Sequence, residues 1–318
     1  MKPQFAALRA HLEQTIVGQS ALIDYLLIGI LADGHLLLEG LPGLAKTTAV
    51  RTLADGMALR FARIQFTPDL IPGDITGSDI FLPQEGRFRF VEGPIFNEVI
   101  LADEINRAPP KVQSALLEAM QERQVTASGV TRPLEPVFLV IATQNPIEQE
   151  GTYSLPEAQM DRFLMKVTVQ YPNADEELEI LRRENARLIS VSKETSSAAL
   201  TPKEVLEARR QVNAIYMDDM LARYIVAVVS ATRNPTPWPT PASEWFARGA
   251  SPRATLALAR AARARAFLRD RDFVEPGDIL DLAFPVLNHR VALSFRAKAE
   301  GITTLQAINT LLEHIPVP

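Results

Sequence analysis

The 318-residue chain is 47% hydrophobic and 22% charged, with a net charge of −5, no cysteine and four histidines. This composition predicts a sizeable core in roughly two domains and excludes a disordered chain, a disulfide framework and a cysteine-based metal site. The acidic balance argues against a surface given over wholly to nucleic acid, while leaving room for a local basic channel.

Met1 to Arg9 lack a signal-peptide core. The most apolar stretch, Ala21 to Ala32, contains Asp24 and falls short of the ~20 residues that span a bilayer. No membrane span and a cytoplasmic location are therefore expected.

Residues 5–31 carry apolar positions at helical spacing, interrupted by Thr15-Ile-Val-Gly18-Gln19-Ser20, with Ser20 placed to cap the second helix. Leu36 to Leu38 reads as a short buried strand. A glycine-rich turn follows, and Thr47 to Leu53 begins a helix. Phe61 to Phe66 predicts a second strand, and Phe81 to Phe90, alternating about Glu85-Gly86, an inserted hairpin. Val99 to Glu104 is a buried strand ending in two acids, and Val112 to Glu122 an amphipathic helix. Gln124 to Arg132 forms a second hairpin turning at Ser128-Gly129. Val137 to Ala142 is another strand, closed by Thr143-Gln-Asn145-Pro, and Met165 to Val169 the last. Short apolar strands alternating with helices predict a mostly parallel sheet covered on both faces.

Tyr171-Pro172-Asn173 marks a boundary between an α/β unit at 1–171 and a helical unit at 172–318. Helical periodicity then runs through Glu176–Leu188, Pro202–Met217, Met220–Thr232, Pro252–Arg269, Pro276–Val291 and the stretch after Thr303. The Pro-rich segment Asn234 to Pro241 is a loop between two of these helices.

A strand, a loop of exposed amide N–H groups and a helix N-terminus together hold nucleotide phosphates. Lys46 would neutralise the β- and γ-phosphates, and the Thr47 hydroxyl would ligate Mg²⁺. Gly40 and Gly43 are free to take positive φ, whereas Ala45 stands where the general P-loop pattern has glycine and requires an ordinary angle or mild strain. Asp103 and Glu104 end a strand at the edge where open parallel sheets bind ligands. Asp103 would hold Mg²⁺ through its water shell, and Glu104 would polarise a water for attack on the γ-phosphate. Two solvated acids capping the next helix are the alternative. Asn145 ends the neighbouring strand and would orient that water; otherwise it is a turn residue before Pro146. His11, His35, His289 and His314 show no ligand spacing, so a metal is expected only jointly with a nucleotide.

These motifs resemble those of AAA+ ATPases and, within them, the MoxR family. They are Ile16-Val-Gly-Gln19, Glu39-Gly-Leu-Pro-Gly-Leu-Ala-Lys-Thr47 as Walker A, and Leu101-Ala-Asp-Glu-Ile-Asn-Arg107-Ala as Walker B. Leu117-Glu-Ala-Met-Gln-Glu122, Ala142-Thr-Gln-Asn145-Pro as sensor 1, and Leu155-Pro-Glu-Ala-Gln-Met-Asp-Arg162-Phe complete the set. Ala45 before the lysine is typical of the MoxR group. The resemblance runs from about residue 5 to about residue 300.

It implies an α/β fold, a parallel-sheet P-loop AAA+ core with a C-terminal all-α lid, and ATP with Mg²⁺ as ligands. Gly40, Pro42, Gly43, Leu44, Ala45, Lys46, Thr47 and Thr48 would surround the phosphates, and Val17, Gly18 and Gln19 would line the adenine. Arg162 resembles the arginine finger that reaches a neighbouring subunit's γ-phosphate, which makes activity depend on assembly. A salt bridge to Asp161 or Glu157 is its alternative, and Arg107 the other candidate finger. Arg253, at the start of a lid helix, resembles sensor 2, against an exposed helix arginine.

The function implied is an ATP-hydrolysing homo-oligomeric ring, a hexamer, with a chaperone-like role in maturing or activating a protein client. The resemblance also implies a separate partner bearing a von Willebrand factor A domain. One rival is a nucleic-acid motor or chelatase-like metal inserter. The other is a nucleotide-gated binding module with negligible hydrolysis, against which Glu104 beside Asp103 counts. The two hairpins fit either pore-facing insertions or edge decoration. Arg260, Arg263, Arg265, Arg269 and Arg271 read as a solvated lid surface or subunit contact before a nucleic-acid site. Trp238, Trp245 and Phe246 read as loop anchors.

Overall fold

In the computed structural model, residues 1–40, 44–145, 153–189, 200–233 and 241–318 are described. In chain order the strands of the first half are β1 (Leu36–Glu39), β2 (Phe61–Gln65), the hairpin β3 (Gly77–Leu82) and β4 (Arg87–Glu92), and β5 (Val99–Asp103). The hairpin β6 (Gln124–Ala127) and β7 (Val130–Pro133) follows, then β8 (Leu139–Gln144) and β9 (Met165–Thr168). Five of them form one sheet in the order β2-β5-β8-β1-β9, every pair parallel.

Both faces of this sheet are buried, and the alternation of side chains along each strand divides the core in two. Leu36, Leu38, Leu101 and Ile141 join the layer built on α1 (Lys2–Thr15), α2 (Ser20–Leu31) and α3 (Lys46–Gly56). Leu37, Ile100, Ala102 and Val140 face the opposite layer. It includes α4 (Pro72–Thr76), α5 (Pro110–Glu122) and the short α6 (Glu157–Met160).

Beyond β9 come α7 (Ala174–Ile189), α8 (Pro202–Asn213), α9 (Asp219–Ala231), α10 (Pro252–Leu268), α11 (Pro276–Leu287), α12 (Phe295–Ala299) and α13 (Thr304–His314). This helical lid also carries one antiparallel pair, β10 (Phe246–Arg248) with β11 (Ala292–Leu293). Strands this short show no period-two pattern, which is why the sequence reads as helix and loop there. Trp245 and Phe246 pack against the lid core; Trp238 lies outside the described residues. Among the described residues no helix is long and apolar enough to cross a membrane.

Ser20 does not cap α2. Gln19 occupies the cap position without a side-chain bond, and its amide is drawn instead to the Gln170 carbonyl at 2.9 Å. The first hairpin begins at Gly77, ahead of the predicted Phe81, and turns at Glu85-Gly86 with Gly86 at φ +62°.

Two buried arginines seat the lid on the core. Arg209 of α8 donates to the Ile30 carbonyl at 2.8 Å and pairs with Asp33 at 2.7 Å. Arg290 pairs with Asp161 at 2.8 Å and donates to the Leu164 carbonyl at 3.0 Å.

His35, just ahead of β1, accepts the Val140 N–H at Nδ1 (3.0 Å) and donates from Nε2 to the Met120 carbonyl (3.2 Å). Burial, with Arg123 nearby, pushes its pKa down to about 3, and burial likewise lowers that of His289 beside Arg290. Both rings stay neutral in the fold, whereas unfolded histidines take up protons from about pH 6.5. The unfolded chain therefore binds more protons below that value, and stability falls as pH drops from about 6.5 toward 3. Melting temperature should decline between about pH 6.5 and pH 5, and His35→Gln should flatten that slope; a pH-independent melting curve would contradict the neutral assignment.

Candidate active site

The residue before Lys46 is strained. Ala45 sits at φ 52°, ψ 18°, a left-handed conformation that costs a non-glycine residue about 1–2 kcal/mol, and it caps α3. Of the two readings open for this position, mild strain is the one observed. Gly40 does not use the positive φ expected of it. Its missing side chain serves close approach, because a Cβ would lie 2.9 Å from the Val169 carbonyl oxygen. Pro42 and Gly43 lie outside the described residues.

Lys46 begins α3 and, in this loop, donates to the Gly40 carbonyl at 2.8 Å. Burial lowers its pKa, with the charges of Asp103 and Glu104 opposing that shift. Because the sheet is parallel, β1, β5 and β8 deliver Gly40, Glu104 and Asn145 to one edge. There Gly40, Leu44, Ala45, Lys46 and Thr47 line a cavity of about 360 Å³, faced by Asp103, Glu104 and Asn145 and closed by Arg63, Gln65 and Thr143.

The acids are held firmly. The buried Thr143 hydroxyl donates to Asp103 Oδ1 at 2.6 Å and accepts the Glu104 N–H at 2.9 Å. Arg63 donates to Asp103 Oδ2 through Nε (3.1 Å) and Nη2 (2.6 Å), and Nη2 also reaches Gln65 Oε1 at 2.9 Å. Gln65 donates to Glu104 Oε2 at 3.0 Å, and Arg107 Nη1 reaches the same oxygen at 3.2 Å. Glu104 itself has left-handed backbone angles, φ 58° and ψ 49°. Such outliers persist where the surroundings over-determine them and concentrate at functional sites.

Thr47 and Asp103 offer hard oxygen donors, which suit Mg²⁺. Among the described residues no group of three or more His, Cys, Asp and Glu could hold a metal. A cation here would have to complete its shell with phosphate oxygens and water, the usual arrangement for Mg²⁺.

Three groups of expected site residues lie elsewhere. Val17, Gly18 and Gln19 do not line this cavity, and Gly18 rests against the start of the lid. Gly18 has φ +72°, and a Cβ there would lie 2.6 Å from the Glu176 carboxyl carbon. Thr48 is also outside the cavity wall. Arg162 and Arg253 line a second cavity, of about 380 Å³, with Arg260 and Arg290. It opens at the opposite edge of the sheet, where Asp33 and Gly34 lead into β1 and Leu164 into β9.

In that second cavity Arg162 donates from Nη1 to the Leu117 carbonyl at 2.7 Å, and its buried Nε has no partner among the described residues. Neither acid suggested for it is engaged there. Asp161 takes Arg290 and the Ser251 hydroxyl (2.7 Å), and Glu157 takes Arg248. The basic run along and just after α10 is largely spent on the lid itself. Arg265 pairs with Asp281, Arg271 with Asp278 at 2.6 Å, and Arg263 donates to the Ile215 carbonyl at 3.1 Å.

Arg63, Gln65 and Thr143 are the site residues that motif reading passed over. The signal for the first two was present: Phe-Ala-Arg-Ile-Gln puts Arg63 and Gln65 on one face of β2 by its period of two.

The family model for the ATPase family associated with various cellular activities (AAA) matches residues 35–165, and that for the AAA lid domain matches residues 240–311. Chaperone MoxR1 of Mycobacterium tuberculosis is 45% identical over 97% of this chain and 81% of its own length. Protein MoxR of Paracoccus denitrificans is 32% identical over 99% of this chain and 96% of its own. A crystal structure of a candidate ATPase from Cytophaga hutchinsonii is 46% identical, with a TM-score of 0.93 over 100% of this chain and 96% of that one.

Proposed function

Because the chain belongs to the MoxR family of AAA+ ATPases, we propose that it hydrolyses ATP as a cytoplasmic homo-oligomeric ring, a hexamer, and uses the cycle to remodel a protein partner. The observation that carries this reading is the meeting of Lys46, Thr47, Asp103, Glu104 and Asn145 around one cavity at the C-terminal ends of three strands.

Each residue has a task there. Lys46 neutralises β- and γ-phosphate charge, while the amides of Leu44 and Ala45 and the N-terminus of α3 face the phosphates. Thr47 and Asp103 would hold Mg²⁺, which would supply positive charge to offset the charge developing on the phosphates. Glu104 accepts the proton of the attacking water, and Asn145 orients that water. Val17, Gly18 and Gln19 take the adenine, a role supported by the closeness of Gly18 to Glu176 at the start of the lid.

Arg162 is the arginine that acts on the neighbouring subunit. Its position at the far edge of the sheet from its own Lys46 and its buried, unpartnered Nε favour this over Arg107, which is turned to Glu104 of its own chain. Arg253, in the same cavity, would meet the same phosphate group. The partner reading, a separate protein with a von Willebrand factor A domain and its client complex, rests on family membership. The exposed Phe81 and Phe88, 5.2 Å apart on the first hairpin, suit contact with a polypeptide. The internal pairing of Arg263, Arg265 and Arg271 weakens the nucleic-acid alternative.

Mixing decides whether a residue acts across an interface. Arg162→Ala subunits mixed with wild type should depress ATPase activity below the additive value. Strictly additive activity across the mixing series would remove the in-trans role.

A further inference from the structure

Both oxygens of the Asp103 carboxylate are engaged by this chain's own groups. Oδ1 is taken by Thr143, and Oδ2 receives two N–H donors from one guanidinium, that of Arg63. We infer that Arg63 is a counter-cation of the nucleotide site that competes with a divalent cation for Asp103. The inference rests on the proposed nucleotide site and adds to it a residue that sets its metal requirement.

The physical case has three parts. The first is reach: β2 lies beside β5 with Gln65 opposite Asp103, so a long side chain two residues earlier extends to the strand end. Next comes strength. The Arg63 side chain is 48% exposed, and ion pairs with a partner this solvated contribute little, so the pair can be broken by a ligand that binds better. Finally, a divalent cation held by Asp103, directly or through its water shell, and the Arg63 guanidinium on the same carboxylate would repel each other. No such competitor sits at Lys46, whose bond in the loop is to a neutral carbonyl.

Two opposite effects follow from removing Arg63. Asp103 becomes a better partner for the metal, so less metal is needed. Without metal, however, its uncompensated charge repels the phosphates, so metal-free nucleotide binds more weakly. A loss of structure alone would not move these two quantities in opposite directions.

The test is the binding of a fluorescent ATP analogue at fixed concentration, titrated with MgCl₂ and repeated in EDTA, with circular dichroism to check folding. For Arg63→Ala the Mg²⁺ midpoint should fall about three- to fivefold, the scale of a partly solvated ion pair, while affinity in EDTA falls. Arg63→Lys should return both toward wild type, and Arg63→Gln, closer in size, should behave like the alanine variant if that one folds poorly. An unchanged or higher midpoint in the alanine and glutamine variants overturns the role of Arg63 while leaving the nucleotide site standing. Wild-type protein that binds no nucleotide with or without Mg²⁺ would overturn the site itself.

Discussion

Glu104→Gln should leave ATP bound while turnover falls by roughly two or more orders of magnitude, the usual loss when a positioned general base is removed. The substitution keeps side-chain size and the oxygen that accepts from Gln65 and Arg107, so the local arrangement survives. What it removes is the site that takes the water's proton. The backbone at Glu104 is held in its left-handed conformation by its N–H bond to Thr143, which the substitution does not touch. Calorimetry should give near wild-type affinity, and phosphate release should report the loss; unchanged turnover would mean that the base lies elsewhere. The same variant, held in its ATP state, should enrich a protein carrying a von Willebrand factor A domain in pull-downs. Failure to retain one when such a protein is supplied would argue against that partner.

Lys46→Ala should weaken nucleotide binding by about 100-fold or more, since charge-assisted bonds to phosphate contribute about 1.5–3 kcal/mol each. The fold should tolerate it well. Lys46 opens α3, alanine is the best helix former, and the bond lost is one to the Gly40 carbonyl at a half-buried position. The signature is therefore lost affinity at nearly constant melting temperature, read by calorimetry and thermal denaturation on the same preparation. Near-normal affinity would take the loop out of the site.

The sheet and the nucleotide cavity were legible because both depend on local signals. Leu36–Leu38, Val99–Ala102 and Leu139–Ala142 are short continuous apolar runs of the kind a doubly covered parallel sheet accommodates, and the residue after each run is then fixed at one edge. Arg63 escaped because its role arises from strand pairing, not from a motif. The second cavity escaped for a related reason: Asp33, Arg162, Arg253 and Arg290 are scattered along the chain and meet only through packing. Gly40 shows the limit of reading a glycine as a turn residue. Its neighbour across the sheet, Val169, is what requires it.

On the proposed in-trans role of Arg162, Asp161 gives the lid leverage over a neighbouring subunit. It is clamped from two lid elements, by Arg290 and by Ser251, which caps α10, and Arg162 is the next residue in the chain. Tilting the lid must either drag this peptide along or rupture a largely buried ion pair, a loss of about 3–5 kcal/mol. Moving is the cheaper course, so a shift of α10 is transmitted, within a single peptide unit, to the Arg162 guanidinium.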